Sequence, residues 1–366
     1  MSKTKRIIMW SLVSLVGLIG MTFAFGFWFI SLIPAGEARN DLKNTTPQDL
    51  PYLAEDIVPS RGKILAVVTS TDVMGSSQKS TGYELTELSR AYYVFQANGF
   101  EVDVASPLGG EPPVVIDDED MGPFDFAFLN DELAQYKAKN TISMEDVNPE
   151  DYQAIYFVGG KGAMWDFPQN KKIQSIVREY YQSDKVIGAV CHGPAALVNV
   201  TLDDGSPLLA SKTVTSFTNA EELFLIPEAE GIFPFLLQDK LEEKGARFSD
   251  GLMYLENVAL DGNLITGQNP WSTWTVAEAM IRQMGYTPKK RIKTPEENTI
   301  RVLITYEQEG YQPAKAEIGD ICSQQEIIFN RTLLAMHGIV AAMQWEIGKS
   351  IDLISLLRFA KSAEAN

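Results

Sequence analysis

A short apolar run that ends in a cysteine most strongly constrains the fold of this chain. Residues 186–190 are Val-Ile-Gly-Ala-Val, and Cys191, His192, Gly193 and Pro194 follow directly. The run predicts a buried strand, and the proline close behind it predicts that a helix begins at once. Such a turn lifts a reactive side chain above a sheet, over a helix N-terminus that favours a thiolate. The pattern therefore indicates an enzyme with a cysteine nucleophile, although a cysteine in an apolar strand can also be structural.

Strand and helix patterns alternate on both sides of this turn. The predicted strands are 63–69, 100–105, 154–158, 186–190, 213–215 and 263–266, and the predicted helices are 81–98, 170–183 and 272–284. Strands that alternate with helices favour a parallel sheet covered by helices on both faces. Ligands of such sheets bind beyond the carboxyl ends of the strands. An α/β fold with its site at that edge is therefore predicted.

The overall composition excludes one class of partner and narrows the choice of catalytic groups. The net charge is −17, whereas binding to nucleic acid needs clustered Lys and Arg, so nucleic acid is not an expected partner. The two cysteines, Cys191 and Cys322, do not make a disulfide framework. His192 and His337 are the only histidines, so a mechanism that needs an imidazole has little choice.

The N-terminal segment predicts an attachment to a membrane. Residues 7–33 contain no charged side chain, and about 20 apolar residues suffice to span a bilayer as a helix. Basic residues within 1–6 precede the segment, so 1–6 is predicted to be a cytoplasmic tail and the rest of the chain to be extracytoplasmic. The expectation is an uncleaved, single-pass signal anchor. A cleaved signal peptide with a site near 35–38 is the alternative.

The remaining segments complete the predicted domain organisation. Residues 34–60 are expected to be a linker, 61–288 the catalytic domain and 289–366 a mainly helical C-terminal extension. The extension is expected to open with a second linker, followed by a strand at 301–306 and a long helical stretch from about 324 to 360. The apolar residues of that stretch suit packing against the main domain, a second subunit or a membrane surface, so a homodimer is one expectation.

A reactive thiol needs a base, and the base needs a group that orients it. His192 lies on the turn itself and is the preferred base, because His337 falls in the C-terminal helix. Glu221 and Glu222 follow a predicted strand end and are candidates for the carboxylate that orients the imidazole. The sequence pattern leaves the choice between these two glutamates open.

Two further groups are predicted beside the thiol. Glu84 and Glu87 lie on the first helix, and a carboxyl group buried there would have a raised pKa and could donate a hydrogen bond to a thiolate. Helical periodicity does not separate the two glutamates. Gly160 and Lys161 follow another predicted strand, where free backbone N–H groups are suited to bind an oxyanion, although a plain turn explains the glycines equally well.

Together these segments resemble the ThiJ/PfpI superfamily of the class-I glutamine-amidotransferase-like fold, and within it the branch of glyoxalase III, protein deglycases and chaperones. The matching segments are TGYELTEL (81–88), GFEVDVASP (99–107), DYQAIYFVGGKGAMWDFP (151–168), AVCHGPA (189–195) and GNLITGQNP (262–270). The resemblance implies a flavodoxin-like parallel sheet sandwiched by helices. It covers roughly 61–288 and does not extend to 7–33 or 289–366.

The resemblance also implies roles for individual residues. Four are catalytic and two bind the oxyanion or substrate: Cys191 as nucleophile, His192 as base, Glu222 as the acid with Glu221 in reserve, Glu87 as the glutamate that contacts the elbow, and Gly160 with Lys161 at the oxyanion turn. Relatives often have a histidine where this chain has Lys161. Some relatives bind a metal through histidines, which this chain lacks, so no metal site is expected.

The implied reaction is the conversion of a small 2-oxoaldehyde such as methylglyoxal into a 2-hydroxy acid, D-lactate in this case. It needs neither glutathione nor another cofactor, and its small-molecule partner is the aldehyde substrate. A cysteine hydrolase or peptidase of the same fold is one alternative, and a membrane-anchored stress-response chaperone is another. A glutamine amidotransferase is disfavoured, because it needs a histidine two residues before a glutamate late in the domain.

Overall fold

The computed structural model describes residues 10, 20, 23–33, 42–118, 120–323 and 329–364. The chain forms two compact units, one over 42–293 and the other over 1–41 together with 294–366. Strands and helices are numbered below along the chain from residue 42.

The larger unit contains eleven described strands and ten described α-helices, besides short 3₁₀ helices. The strands are β1 (Lys63–Val67), β2 (Tyr83–Glu84), β3 (Glu101–Ser106), β4 (Val114–Val115), β5 (Ile142–Ser143), β6 (Ala154–Phe157), β7 (Val186–Val190), β8 (Thr213–Val214), β9 (Arg247–Phe248), β10 (Val258–Asp261) and β11 (Leu264–Gly267). The helices are α1 (Pro51–Ala54), α2 (Leu85–Ala97), α3 (Pro123–Leu129), α4 (Glu132–Lys139), α5 (Ala163–Asp166), α6 (Lys171–Gln182), α7 (Asn219–Leu225), α8 (Ala229–Ile232), α9 (Leu237–Glu243) and α10 (Thr273–Gln283).

Seven of these strands form one sheet in the order β10-β11-β7-β6-β1-β3-β5. Every pairing in it is parallel except that of β10 with β11 at one edge. The predicted α/β fold with a flavodoxin-like parallel sheet is confirmed. The predicted strand at 213–215 is β8, which pairs with β9 in a separate two-stranded sheet.

The sheet is buried on both faces because its strands are apolar at consecutive positions. In β1, Ile64 and Ala66 belong to one hydrophobic cluster, and Leu65 and Val67 belong to the other. Side chains of a strand alternate between its two faces, so each cluster is the packing of helices on one side. The first cluster includes residues of α2 and α10, and the second includes residues of α6 and α9.

The carboxyl ends of the central strands meet at one edge of the sheet. β6 and β7 are parallel neighbours, with Phe157 paired to Ala189, so Gly159 and Cys191 follow them side by side. The N–H of Cys191 also donates to the carbonyl oxygen of Gly267 at the end of β11, at 2.9 Å. The fold therefore collects short segments from three strands around the cysteine.

The helix predicted at 81–98 begins later, at Leu85. Residues 83 and 84 instead form β2, which pairs with β4 in a second two-stranded sheet. Glu84 has extended backbone angles and stands at the N-cap of α2. The first turn of the predicted helix is lost because its backbone pairs with the segment around Val114, an interaction that helical periodicity does not reveal.

Both predicted linkers of the larger unit differ from the structure where it describes them. Residues 34–41 lie outside the described residues, but Leu50 and Tyr52 are buried in the first hydrophobic cluster. At the other end, the N–H of Lys289 donates to Asn98 Oδ1 at 2.7 Å, and Lys289 Nζ donates to the carbonyl of Tyr52 at 2.7 Å. Pro-rich and charged composition indicated linkers, whereas the buried Leu50 and Tyr52 and the hydrogen bonds of Lys289 tie the described parts of both segments to the larger unit.

The C-terminal extension is helical throughout its described elements: α11 (Pro295–Glu309), α12 (Tyr311–Cys322), α13 (Arg331–Met343) and α14 (Ile347–Ala363). The predicted strand at 301–306 therefore lies inside α11. Thr294 caps that helix, with its hydroxyl bound to the N–H of Glu297 and its own N–H bound to the Glu297 carboxylate. This capping box outweighs a short apolar run, which occurs in strands and helices alike. The described part of the predicted stretch 324–360, from residue 329 on, forms two helices that are separated where Trp345 has a φ of +64°.

The predicted transmembrane anchor over 7–33 is corrected, and with it the single-pass, extracytoplasmic placement. Among the described residues, no helix has the length and apolar character needed to cross a membrane. Within 7–33 these residues are 10, 20 and 23–33. The rest of 7–33 and the predicted tail 1–6 lie outside the described residues.

Candidate active site

Cys191 occupies a strained turn between β7 and a short 3₁₀ helix, Gly193–Leu197. Its φ is +57°, a left-handed conformation that costs a non-glycine residue about 1–3 kcal/mol and is found mostly at functional sites. Its N–H and carbonyl are both bound, to Gly267 and to the N–H of Phe217, each at 2.9 Å. A side chain at Gly193 would lie 2.3 Å from the Phe157 carbonyl oxygen, so only glycine allows the chain to pass there. The predicted elbow is therefore present.

The thiol, an imidazole and a carboxylate lie in a row, each within contact distance of the next. Cys191 Sγ lies 3.3 Å from His192 Nδ1, and His192 Nε2 lies 2.6 Å from Glu222 Oε2. Burial opposes the charge of Glu222, but the attraction of His192, their hydrogen bond and the charge of Lys161 outweigh it and lower the pKa of Glu222. An ionised Glu222 holds the imidazole in one orientation and stabilises its protonated form.

Glu221, the other candidate for the carboxylate that orients His192, has a structural role instead. Its Oε1 accepts from the N–H of Tyr254 at 2.8 Å and from the side-chain amides of Gln268 and Asn269 at 3.0 Å each. Its Oε2 accepts from the N–H of Thr218 at 2.9 Å, which closes the capping box of α7. Glu221 therefore ties two distant segments, at Tyr254 and at Gln268–Asn269, to the start of α7 and does not bind the imidazole.

Glu87 faces the cysteine from the first turn of α2. Its side chain is fully buried, and its Oε2 accepts from the N–H of Gly159 at 2.7 Å. Burial raises the pKa of Glu87 well above its ordinary value, and the nearby charge of Glu84 adds to the effect. Burial therefore favours the neutral, protonated form of Glu87.

The thiol and the Glu87 carboxyl group share their protonation. Burial, together with the charge and hydrogen bond of an ionised Glu87, raises the pKa of the Cys191 thiol. Two adjacent buried anions are unfavourable, so a proton stays on one of the pair. With that proton on Glu87, the repulsion between the two charges disappears.

The turn after β6 packs directly against the cysteine. A side chain at Gly159 would lie 2.8 Å from Cys191 Cβ, and one at Gly160 would lie 2.4 Å from the carbonyl oxygen of Gly82. Gly160 has a φ of +95°, which also favours glycine. Lys161 follows at a partly exposed position, and its charge acts on Cys191 and Glu222. The structure thus brings the predicted Gly160 and Lys161 to the thiol.

Sequence reasoning missed the aromatic walls of this site. The Phe217 ring lies 5.0 Å from the His192 ring, and the Phe233 ring stacks on it at 6.3 Å with an angle of 13° between the planes. Trp165 packs against Phe233 in turn, with ring centroids 5.2 Å apart. Phe217 lies close to Glu222 in the sequence, whereas nothing in the local sequence marks Phe233 as a neighbour of the histidine.

Metal binding has no candidate site in the described part of the chain. No group of three or more His, Cys, Asp or Glu side chains there is arranged to hold an ion. The expected absence of a metal and of a cofactor remains a prediction.

Residues 79–283 match the DJ-1/PfpI family. The match covers more than half of the chain, so this chain belongs to the DJ-1/PfpI family, as its resemblance to ThiJ/PfpI proteins predicted.

Individual relatives cover the same region. The glutathione-independent glyoxalase hsp3102 of Schizosaccharomyces pombe is 32% identical over 56% of this chain and 89% of its own length. Among solved structures, glyoxalase III of Candida albicans is 29% identical, with a TM-score of 0.54 over 61% of this chain and 97% of that one. The Rapid Encystment Protein REP24 of Francisella tularensis is 39% identical, with a TM-score of 0.58 over 61% of this chain and 99% of that one.

Proposed function

We propose that this chain is a glutathione-independent glyoxalase of the glyoxalase III type, which converts a small 2-oxoaldehyde such as methylglyoxal into a 2-hydroxy acid. Relatives named as glutathione-independent glyoxalases match across nearly their whole length, which supports the proposal. A homodimer stays a prediction.

One observation carries the proposal: Cys191 stands on a left-handed elbow with a neutral acid on one side and an imidazole–carboxylate pair on the other. A protonated Glu87 stabilises the thiolate that must attack. The His192–Glu222 pair accepts and returns protons. Site residues of these types, in these protonation states, support addition to a carbonyl followed by a proton shift.

The proposed reaction starts when the Cys191 thiolate adds to the aldehyde carbon. The aldehyde oxygen becomes negatively charged, and the Gly160 turn with Lys161 lies where that charge needs stabilisation. His192 then moves the proton of the former aldehyde carbon to the neighbouring keto carbon through an enediol. The first carbon is oxidised to a thioester as the second is reduced to an alcohol, so no external oxidant or reductant is consumed. Water hydrolyses the thioester, releases the 2-hydroxy acid and restores the thiol.

The burial of the cysteine favours a small substrate over a polypeptide. Cys191 is 5% exposed, and aromatic rings line the neighbouring histidine. A peptidase needs a cleft that admits an extended chain to the nucleophile. This geometry therefore supports the glyoxalase proposal over the hydrolase alternative, and a chaperone would not require the thiol at all.

The test is the formation of D-lactate from methylglyoxal without glutathione, with Cys191→Ser and Cys322→Ser compared against the wild type. We expect activity to fall by at least about a thousandfold in Cys191→Ser, because a nucleophile is lost, and to persist in Cys322→Ser. A folded wild type without turnover would contradict the proposed activity. Full activity in Cys191→Ser would contradict the proposed nucleophile.

A further inference from the structure

The start of α2 holds the oxyanion turn at two points. The N–H of Glu84 donates to the carbonyl oxygen of Gly159 at 3.2 Å, and the N–H of Gly159 donates to Glu87 Oε2 at 2.7 Å. A side chain at Gly160 would lie 2.7 Å from the backbone nitrogen of Glu84. Lys161 is the next residue of this turn, and backbone contacts fix the position of the turn relative to Glu84.

The ammonium group of Lys161 forms no ion pair with a carboxylate of the described residues. Its charge acts on Glu84, Cys191 and Glu222, which places it within electrostatic range of all three. None of the ion pairs in the described part of the chain includes Lys161. A cation so placed is available to a negatively charged atom of a substrate.

Glu84 explains why the cation remains available. Its Oε1 is shielded from solvent and has no hydrogen-bond partner among the described residues. Burial, followed by the charge of Asp120, raises the pKa of Glu84 to about 8, with Lys161 opposing. Glu84 is therefore mostly protonated at pH 7 and does not compensate the charge of Lys161.

The charged and titratable groups that act on Glu84 come from every element around it. They are Asp117 and Asp120 of the acidic segment, Lys161 of the oxyanion turn, Arg90 and Glu87 of α2, and Tyr83 of β2. Arg90 is engaged elsewhere, with Asp125 at 3.2 Å and with the carbonyl oxygen of Asp120 at 2.6 Å. Lys161 is thus the cation whose pairing can change when Glu84 ionises.

We propose that Glu84 is a positioning residue that acts through Lys161: its neutral carboxyl group leaves the Lys161 ammonium to a negatively charged oxygen of the substrate, and its ionised form takes that ammonium into an ion pair. The inference rests on the proposed function, in which the aldehyde oxygen becomes negatively charged. It adds a limit on the alkaline side of activity and a preference for substrates that present negative charge beside the turn.

The test uses two alkylating reagents of nearly the same shape that differ in charge. Iodoacetate is an anion and iodoacetamide is neutral, and both react with the thiolate of Cys191. The ratio of their rates at the Cys191 peptide, followed by mass spectrometry from pH 6 to 10, cancels the fraction of thiolate. What remains is the attraction of the site for an anion.

We expect the wild-type ratio of iodoacetate to iodoacetamide rates to fall about threefold between pH 7 and pH 9. The full factor for one unit-charge pair about 4 Å apart in water is about five, and ionisation of Glu84 is incomplete at both ends of this range. In Glu84→Gln the ratio should stay at its pH 7 level across the range. In Lys161→Met it should be low at every pH. Glu111→Gln, which removes an exposed carboxylate nearby, is the matched control and should follow the wild type.

A wild-type ratio that does not change with pH overturns the inference, and this measurement needs no variant to fold. A fall that persists unchanged in Glu84→Gln also overturns it, because another group would then be titrating. D-lactate formation is measured on the same samples. If D-lactate forms and the ratio of rates does not change with pH, the role of Glu84 is contradicted and the proposed function stands. If the ratios change as expected but no D-lactate forms, the proposed function is contradicted and the coupling of Glu84 to Lys161 stands.

Discussion

The two sides of Cys191 carry the same type of side chain in opposite protonation states. On the α2 side, burial dominates and raises the pKa of Glu87 and Glu84. On the α7 side, Glu222 is also buried, yet the imidazole 2.6 Å away lowers its pKa. Burial alone therefore does not decide whether a carboxyl group is ionised; a hydrogen-bond partner that can carry positive charge also matters.

The comparison also explains why the buried Arg90 does not neutralise the α2 side. Its guanidinium group pairs with Asp125, whose side chain is 1% exposed, and its Nη1 donates to the carbonyl of Pro270. A cation already engaged lowers a neighbour's pKa only in part. The neutral acid beside the thiol therefore depends on Asp125 holding Arg90 in its own ion pair.

The largest expected effect comes from removing the ionised carboxylate of Glu222, on the α7 side of the cysteine. In Glu222→Gln the amide can no longer stabilise a protonated His192, so we expect kcat to fall by about 10²–10⁴-fold with the fold intact. The measurement is kcat for methylglyoxal beside the melting temperature. Glu221→Gln is the matched control one residue away: it should lose stability through its hydrogen bonds and keep most of kcat in the molecules that remain folded. Equal loss of kcat in both variants would contradict the assignment of Glu222.

That pair of glutamates also marks how far sequence alone could reach. The elbow was predictable, because a strand, a turn and a helix start are local patterns. The choice between Glu221 and Glu222 was not, since both lie in the first turn of α7. It depends on Tyr254, Gln268 and Asn269, which bind Glu221 from segments more than thirty residues away and so set which side of the helix faces His192.

The fold follows the same division between local and distant information. Runs of apolar residues predicted the central strands, and the parallel order follows from the alternation with helices. The 301–306 region was ambiguous because Val302, Leu303 and Ile304 suit either structure, although the Thr294–Glu297 capping box was a usable helix signal. Helical periodicity left the choice between Glu84 and Glu87 open. In the structure the Glu87 carboxyl group faces the thiol, whereas Glu84 contacts the same turn through its backbone N–H.

The second prediction concerns the α2 side of the cysteine and tests how much the contact between Glu87 and Gly159 contributes to stability. Glu87→Ala leaves the N–H of Gly159 without its acceptor and opens a cavity, so we expect a loss of about 2–4 kcal/mol in the free energy of unfolding. Glu87→Gln keeps the volume and an oxygen that can accept from Gly159, and should lose less than about half as much. Urea unfolding at pH 7 measures both. Similar losses in the two variants would show that the contact with Gly159 does not matter to stability.

The smallest expected effect sharpens the comparison through pH. The folded state raises the pKa of Glu84 from its ordinary 4.5 to about 8, so the stability linked to this group is complete below pH 4.5 and is lost as the pH rises through 8. Glu84→Gln cannot ionise and should be more stable than the wild type at pH 9 by about 1–3 kcal/mol, with little difference at pH 5.

The stability linked to Glu222 depends on pH in the opposite direction, because its lowered pKa contributes stability that is present above pH 4.5 and is lost as the pH falls below that value. Thermal unfolding of Glu84→Gln and Glu222→Gln at pH 3.5, 5, 7 and 9 separates the two cases. If both variants change stability in the same direction with pH, the two sides of the cysteine do not differ in protonation, and the contrast on which the site depends is absent.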